Sequence, residues 1–278
     1  MSLSFKKTSL MEIGILGAGW LGTVIAEKGI QNNHNVVVSS TNKKKLEIFK
    51  NNGYKAKMIV ANEIEVQGDL SFFKGIELLI ITIPPKPDKN GNINYDLIIE
   101  QLIKKIVFFR IKKVIYTSST SVYGFQKKTI SEKSEKYPLT DAAKKIIICE
   151  NKLIENPYFE SCIIRLGGLI GPNRHPIFKL SGKKNIPNPK SPINLIHQKD
   201  AVGITLYLSE NWNGNEIFNA VTPYQPMRKK YYESISKIAK IEPPKFEVNG
   251  KIRGKISSSK LLKYTNYRFE VENLLILN

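Results

Sequence analysis

The chain has 278 residues, of which 41% are hydrophobic, so it is long enough to bury the core of one large domain or of two closely packed ones. Its formal net charge of +19 raises the question of a nucleic-acid ligand. The lysines, however, are scattered in twos and threes, without an arginine-rich arm or an aromatic RNA-binding signature. We therefore expect no nucleic-acid partner and interpret the charge as a solvated, lysine-rich surface that attracts anionic ligands.

The two cysteines and the hydropathy pattern indicate the cellular compartment. Cys149 and Cys162 both lie in apolar stretches, which predicts buried thiols in a reducing environment and no disulfide framework. No apolar run approaches the ~20 residues of a membrane span, and residues 1–10 contain no signal-peptide core, with Met11 a candidate natural start. We expect a cytoplasmic protein without a membrane partner.

Apolar, strand-like runs alternate with helical patterns through the first two thirds of the chain. The predicted strands, in chain order, cover residues 11–16, 35–39, 54–60, 77–83, 113–117 and 160–166. The predicted helices between them end near residue 32 and cover 43–51, 96–110 and 141–155. This alternation predicts an α/β fold with a doubly wound parallel sheet that carries helices on both faces.

The first predicted strand runs directly into Gly17-x-Gly19-x-x-Gly22 and then into a helix. In a dinucleotide-binding turn, Gly17 permits the tight turn, Gly19 lets a pyrophosphate approach, and Gly22 lets the helix pack close to the strand. The helix N-terminus then offers N–H groups to the phosphates. The order of strand, turn, helix and second strand favours a Rossmann-type nucleotide site over a glycine turn without a ligand.

The sequence changes character after Leu166. Glycines and prolines cluster up to Pro192, and shorter elements follow: strands at 193–197 and 216–219, and helices near 200–209, 227–241 and 258–264. We predict an NAD(P)-binding Rossmann domain at 1–166. Residues 167–278 are predicted to form a small substrate-side cap, closely packed on that domain, because ligands of such sheets bind at the carboxyl ends of the strands.

The end of the second strand distinguishes the two nicotinamide cofactors. NAD-binding units usually place Asp or Glu there to accept the ribose hydroxyls, but this chain has Ser40, Thr41, Asn42 and Lys43. Hydroxyl groups and a lysine suit a 2′-phosphate, so NADP(H) is the predicted cofactor, with NAD as the alternative. The same residues would also cap the following helix, and the two roles are compatible.

Four later segments support the prediction of a nucleotide-binding site. They are Thr-Ser-Ser-Thr-Ser-Val-Tyr-Gly at 117–124, Arg-Leu-Gly-Gly-Leu-Ile-Gly-Pro at 165–172, Asn-Leu-Ile-His-Gln-Lys-Asp-Ala at 194–201, and the lysine-leucine-aromatic ending at 258–269. With the glycine turn they resemble the extended short-chain dehydrogenase/reductase superfamily, the NAD(P)-dependent epimerase/dehydratase group, over almost the whole chain. The likeness is greatest to an atypical epimerase-like branch with G-x-G-W-L-G and G-x-x-R-H-P, here at 17–22 and 171–176.

The resemblance implies catalytic roles for particular residues. Ser119 occupies the position of the family's serine or threonine, whose hydroxyl binds the substrate oxygen. Lys144 occupies the position of the family's lysine, which binds the nicotinamide ribose. The acid/base tyrosine of the family is replaced by Thr140, whose hydroxyl is a far weaker acid than a phenol of pKa ~10. This departure argues against ordinary carbonyl reduction or 4-epimerisation.

Two other side chains are alternatives for the acid/base. Tyr123 lies four residues from Ser119 and is retained as a catalytic candidate, although packing behind the strand end is the favoured interpretation. His197 is the other alternative, because histidine is a residue type suited to proton transfer, but its position in the family is mainly structural. The predicted cofactor-binding residues are Gly17, Gly19, Trp20, Leu21, Gly22, Ser40, Thr41, Asn42, Lys43, Ile83, Pro84, Thr117, Ser118 and Lys144.

The substrate positions also depart from those of nucleotide-sugar relatives. Gly168 stands where those relatives have an asparagine, and Ile193 where they have an arginine, so a UDP- or GDP-sugar is not favoured. Arg174 and His175 lie in a loop where a cap would meet substrate, and Arg174 could hold a carboxylate or phosphate. Bonding to backbone carbonyls of that loop is an equally good interpretation of Arg174.

These observations favour an NADP(H)-dependent oxidoreductase or epimerase-like enzyme that acts on a small anionic metabolite, the cofactor supplying the hydride chemistry. The alternative is a non-enzymatic NADP(H)-binding redox sensor, which the absent tyrosine favours. Nucleic-acid binding driven by charge ranks last. No metal is expected, and the resemblance alone implies a homodimer.

Overall fold

A computed structural model of the chain describes residues 10–277. Their contacts divide the chain into two compact units that interleave along the sequence. Unit 1 contains the chain up to Thr117, Lys144–Ile163 and Thr205–Glu216, and unit 2 contains Ser118–Ala143, Ile164–Ile204 and the chain from Ile217 onward. The predicted division at residue 166 therefore does not coincide with these units. The interpretation of the N-terminal segment falls on residues 1–9, outside the described range.

The strands are β1 Glu12–Leu16, β2 Asn35–Ser40, β3 Lys55–Ala61, β4 Val66–Gly68, β5 Leu78–Ile81, β6 Lys113–Ser119, β7 Glu160–Leu166, β8 Gly168–Ile170, β9 Leu195–His197 and β10 Glu216–Ala220. The α-helices are α1 Trp20–Gln31, α2 Lys43–Asn51, α3 Tyr95–Phe108, α4 Asp141–Ile154, α5 Ile177–Leu180, α6 Gln198–Asn211, α7 Arg228–Ala239 and α8 Ser259–Thr265. No helix within residues 10–277 is long and apolar enough to cross a membrane.

Eight strands form one sheet in the order β10-β7-β6-β5-β1-β2-β3-β4, and β8 pairs with β9 in a second, two-stranded sheet. The pairs β1–β2, β1–β5, β2–β3 and β5–β6 are all parallel. The chain steps outward from β1 in both directions, with helices between successive strands. The predicted α/β fold with a doubly wound, Rossmann-type sheet is therefore confirmed.

The burial of the central strands of unit 1 explains why their sequences are continuous apolar runs. Ile13 of β1 is paired with Val36 of β2 and with Leu78 of β5. All four residues of β5 are buried. A parallel strand covered on both faces has no solvated side, so its sequence loses the alternation of apolar and polar residues. The run at 77–83 is predicted as a strand for this reason.

Two strands escape the sequence-based prediction, β4 and β8, and both have only three residues. β4 pairs antiparallel with β3 at the end of the sheet. Gly68, its last residue, has φ +107°, and a Cβ there would lie 2.1 Å from the carbonyl oxygen of Met58. Such a short, polar strand shows too little periodicity to be identified before its partner is known.

Unit 2 has its own hydrophobic cluster, which holds the C-terminal segment in place. The buried members come from β8, α5, β9, α7 and the tail: Ile170, Ile177, Ile193, Leu195, Tyr231, Tyr232, Ile235, Val271 and Leu274. Burial of these side chains is the main stabilising contribution here, at about 1.5–3 kcal/mol for each large apolar residue. The tail is thus an integral part of the unit 2 core.

Asp200 at the start of α6 ties the same tail to the unit by hydrogen bonds. Its carboxylate is fully buried and accepts bonds from the backbone N–H groups of Glu270 at 2.7 Å and Val271 at 3.2 Å, and from the Tyr267 hydroxyl at 3.2 Å. Burial raises the pKa of Asp200 although all three bonds favour the charged form. The acid of the Ile-His-Gln-Lys-Asp segment therefore has a structural role.

We predict that Asp200→Asn lowers the free energy of unfolding by about 2–3 kcal/mol, because the amide NH2 replaces one carboxylate oxygen and leaves one of the two backbone N–H groups facing a donor. Urea denaturation followed by circular dichroism measures the change. The matched control is Glu272→Gln, an exposed acid in the same segment, which should change stability by less than about 0.5 kcal/mol. Equal stability of the two variants would contradict the anchoring role.

Candidate functional site

The glycine turn of unit 1 is held by the two strands that flank β1. The N–H of Gly17 donates to the Ser39 hydroxyl at 3.1 Å, and the N–H of Ala18 donates to the Ser39 carbonyl at 2.9 Å. From the other side, the Thr82 hydroxyl donates to the Gly17 carbonyl at 2.6 Å. The turn is therefore fixed at the carboxyl ends of β1, β2 and β5, where ligands of such sheets bind.

The three glycines of the motif differ in how strictly the protein's own packing requires them. Gly17 has φ +96°, and a Cβ there would lie 2.6 Å from the Ile83 side chain. A Cβ on Gly22 would lie 2.5 Å from the Gly17 carbonyl oxygen. A Cβ on Gly19, in contrast, would meet only that carbonyl oxygen, at an ordinary 3.7 Å. The protein's own packing does not demand glycine at 19, which fits a position left open for a ligand.

A cavity of about 360 Å³ opens beside this turn, wholly within unit 1. Helix α1 begins at its edge without a side-chain cap, so its N-terminus is available to anionic groups. The residues lining the cavity are Leu16, Gly17, Ala18, Gly19, Ser39, Ser40, Thr41, Lys45, Ile59, Ala61, Thr82, Ile83, Pro84, Lys86, Tyr95 and Ile98.

The polar end of this cavity differs in one respect from the sequence-based prediction. Asn42 caps α2 by accepting a bond from the Lys45 N–H at 3.1 Å, and the Ser40 hydroxyl accepts from the Asn42 N–H at 3.1 Å, so the capping role is observed. Ser40 and Thr41 also line the cavity, whereas Lys43 does not. Lys45 lies there instead, and burial lowers its pKa.

Lys86, in the loop after β5, is a second lysine that sequence reasoning missed. Neither Lys45 nor Lys86 forms an ion pair with a carboxylate among residues 10–277. Lys45 could have been found from helical periodicity, because α2 brings residue 45 back to the face of its N-cap. Lys86 carried no such signal, since it follows two prolines in an irregular loop.

The remaining predicted cofactor residues have several placements. Ile83 and Pro84 line the cavity, and the Tyr95 hydroxyl donates to the Ile83 carbonyl at 2.7 Å. Thr117 donates to the Ile81 carbonyl at 3.0 Å, and Leu21 is buried in the core. The others are Trp20, half-buried at the start of α1, Lys144, exposed on α4, and Ser118, buried in unit 2.

Unit 2 contains a second cavity, of about 370 Å³. Two residues predicted from the sequence line it, Ser119 and Gly168. A Cβ on Gly168 would lie 2.9 Å from the Leu195 side chain, so the space that a larger residue would fill is already occupied. The full lining is Ser119, Thr120, Ser121, Phe125, Gly168, Asn188, Ser191, Pro192, Ile193, Asn194, Leu195, Arg228, Tyr232 and Arg253.

Tyr123 is enclosed within unit 2 and its hydroxyl has two partners. The hydroxyl donates to Asn219 Oδ1 at 2.7 Å and accepts from Arg165 Nη1 at 2.7 Å. The side chain is 0% exposed, and burial raises its pKa despite the nearby guanidinium. This placement favours the packing interpretation of Tyr123 over an acid/base role.

Thr140 and Ser119 each accept one local hydrogen bond. The Thr140 hydroxyl accepts from the N–H of Ala143 at 3.2 Å, in the first turn of α4, as a helix-capping threonine does. The Ser119 hydroxyl accepts from the N–H of Ser121 at 3.1 Å and begins a short 3₁₀ helix, Thr120–Tyr123. Ser119 keeps its hydrogen available for a ligand, because its hydroxyl acts as the acceptor in that bond.

Arg174 and His175, predicted as substrate residues, do not line the unit 2 cavity. Arg174 is exposed in a tight turn whose backbone bonds with Gly171 in both directions. His175 is buried: its Nδ1 accepts from the Ile177 N–H at 3.1 Å, and its Nε2 lies 2.9 Å from the Tyr231 hydroxyl, which donates to the Leu274 carbonyl. This chain of bonds gives His175 a role in holding the tail.

Burial lowers the pKa of His175 to about 4. Between the ordinary pKa of about 6.5 and that value, the unfolded chain binds a proton that the folded chain does not, so stability falls as the pH falls. We predict that His175→Asn flattens this decline by at most about 1.4 kcal/mol per pH unit. Urea titrations of both proteins between pH 7 and pH 4 measure it, and identical slopes would contradict the assignment.

Comparison with known proteins agrees with this geometry. Residues 12–89 match a family model described as "NADP oxidoreductase coenzyme F420-dependent". Protein YeeZ of Escherichia coli K12 is 28% identical over 273 residues, which are 96% of this chain and 99% of that protein. The glycine turn, β2 and β5 all lie inside the matched family region.

Solved structures of low identity share the whole architecture. MoeE5 in complex with UDP-glucose and NAD has a TM-score of 0.78 at 15% identity, covering 95% of both chains. UDP-glucuronic acid 4-epimerase from Bacillus cereus, in complex with NAD, has a TM-score of 0.76 at 18% identity, covering 94% of both. A functionally unknown conserved protein from Silicibacter pomeroyi has a TM-score of 0.76 at 16% identity, covering 95% of both. These structures confirm the fold that the predicted resemblance to the extended short-chain dehydrogenases implies.

Proposed function

We propose that this protein is an NADP(H)-dependent oxidoreductase or epimerase-like enzyme that acts on a small anionic metabolite. The cofactor part of this proposal rests on Gly19, which lines the unit 1 cavity. A Cβ at this position would make no close contact with the protein, so the space beside it is open to a ligand. A nicotinamide dinucleotide would place its pyrophosphate there, beside the uncapped N-terminus of α1. The bound cofactor would supply the hydride chemistry.

The preference for the 2′-phosphorylated cofactor rests on the charge of the unit 1 cavity. Its lining includes Lys45 and Lys86 together with the hydroxyls of Ser40 and Thr41, and it includes no Asp or Glu within the described range. A carboxylate there would accept the ribose hydroxyls of NAD and repel a phosphate. Lysines without carboxylate partners instead favour a group with two negative charges.

The anionic substrate is proposed to bind in unit 2, whereas Lys144 belongs to unit 1. Its cavity contains Ser119, which would bind the substrate oxygen, and two arginines, Arg228 and Arg253. In the reaction, Lys144 would hold the nicotinamide ribose, as the resemblance implies. The proton would come from solvent or substrate, because Thr140 caps a helix and Tyr123 is committed to Asn219 and Arg165.

The two hydrogen bonds of the Tyr123 hydroxyl also favour a second candidate function, a non-enzymatic NADP(H)-binding redox sensor. A sensor needs the unit 1 cavity but no acid/base group. Consumption of NADPH in the presence of a panel of small carbonyl acids and phosphorylated carbonyl compounds distinguishes the two. Turnover of any member supports the enzyme, whereas tight binding without turnover of the whole panel supports the sensor.

Calorimetric titration with NADPH and NADH tests the cofactor assignment. Gly19→Val should abolish binding of both with little change in thermal stability, because a Cβ there would lie at an ordinary 3.7 Å from the Gly17 carbonyl oxygen. Lys45→Met should weaken NADPH about 10- to 100-fold and NADH much less, because it removes a charge-assisted bond to the 2′-phosphate.

Two neighbouring lysines are matched controls for that experiment. Lys44→Met removes an exposed charge outside the cavity lining, and Lys43→Met removes the residue that the sequence alone would select. Both should keep the wild-type preference for NADPH. Absence of binding of either nucleotide to the wild-type protein would contradict the proposed function, and a loss confined to Lys43→Met would contradict the role of Lys45.

A further inference from the structure

The cavity of unit 2 contains polar groups that its own structure leaves unused. Asn194 Oδ1 and Arg253 Nε are both buried and have no hydrogen-bond partner. Arg228 and Arg253 form no ion pair with a carboxylate among residues 10–277. Buried polar atoms and uncompensated guanidinium groups are costly, so their concentration in one cavity points to a ligand that satisfies them.

The backbone N–H groups of the two arginines both bond to one residue, Ser191. The backbone N–H of Arg228 donates to the Ser191 carbonyl at 2.8 Å, and the backbone N–H of Arg253 donates to the Ser191 hydroxyl at 3.0 Å. The guanidinium of Arg228 is further oriented by a 2.8 Å bond to the Pro187 carbonyl and lies 5.9 Å from the Phe246 ring. Both side chains are thus placed before any ligand arrives.

A second residue, Thr120, connects Arg253 with Asn194. Arg253 Nη2 donates to the Thr120 carbonyl at 3.1 Å, and Asn194 Nδ2 donates to the Thr120 hydroxyl at 2.7 Å. Because its amide nitrogen is the donor in that bond, Asn194 presents its oxygen as a free acceptor. An acceptor fixed near two arginines suits a ligand that carries a hydroxyl group close to its negative charge.

We propose that Arg228 and Arg253 together bind an oxyanion, a phosphate or carboxylate group, and that Asn194 accepts a hydrogen bond from a hydroxyl group of the same molecule. The proposal rests on the proposed function and names its substrate class: a hydroxylated oxyanion. Arginine suits this role because its planar guanidinium matches two oxygens of either anion. Arg174, selected from the sequence, has no part in it.

Calorimetric titration without nucleotide tests the proposal with two pairs of probes. Glycerol 3-phosphate and n-propyl phosphate share a phosphate, and glycerate and propionate share a carboxylate; in each pair only the first molecule carries hydroxyl groups. We expect the wild-type protein to bind the hydroxylated member of at least one pair more tightly than its partner. The pair that shows this preference identifies the anion as phosphate or carboxylate.

Three variants assign the binding to these residues. Arg228→Met should weaken the preferred pair about 10- to 100-fold, whereas Arg268→Met, which removes an exposed arginine of unit 2, should have no effect. Asn194→Leu should remove the preference for the hydroxylated member and leave binding of its partner unchanged. Arg228→Met is preferred to a change at Arg253, because Arg253 Nε is buried and its guanidinium bonds to Thr120, the residue that also bonds to Asn194.

Two outcomes would overturn the proposal: no saturable binding of any probe by the wild-type protein, or binding that Arg228→Met leaves unchanged. Thermal melting of each variant shows whether it is folded. Neither outcome bears on NADPH binding to unit 1, because the titrations contain no nucleotide. Failure of NADPH binding would equally leave the oxyanion site of unit 2 standing.

Discussion

The contact on which the candidate cofactor site depends is the bracing of the glycine turn between β2 and β5. Ser39 engages the N–H groups of Gly17 and Ala18, and Thr82 engages the Gly17 carbonyl. These bonds fix the backbone of Gly17, whose φ is positive, against the two neighbouring strands. The local sequence alone would not fix the turn in this conformation. Once the turn is fixed, the position of α1, the open space at Gly19 and the adjoining cavity all follow.

In unit 2, too, hydrogen bonds between different elements of the fold position the residues of a cavity. Ser191 and Thr120 each bond to more than one element and thereby place Arg228, Arg253 and Asn194 in one cavity. The C-terminal tail is secured separately, by Asp200 and by the hydrogen-bond chain that begins at His175. Asp200 and His175 have partners within the fold, whereas Asn194 Oδ1 and Arg253 Nε of the cavity have no hydrogen-bond partner.

Several residues that attract attention as catalytic by their place in a motif have structural partners instead. Thr140 caps α4, Asn42 caps α2, and the Tyr123 hydroxyl is shared between Asn219 and Arg165. Thr140 therefore lacks the phenol of the family's tyrosine but has a structural role as a helix cap. The proposed reaction would take its proton through a group other than these.

The sequence by itself determined the α/β class, the order of the long elements and the dinucleotide turn, because these depend on hydrophobic periodicity and on glycines with local conformational requirements. It also pointed to the end of β2 as the polar end of the cavity. Only the tertiary structure decided that Lys45 and not Lys43 lines that cavity, since two residues along a helix change the direction of a side chain by about 200°. Only the tertiary structure brought together Thr120, Asn194, Arg228 and Arg253, which lie far apart in the chain and meet through side-chain bonds to shared residues. Long-range contacts of this kind leave no periodic trace in a single sequence.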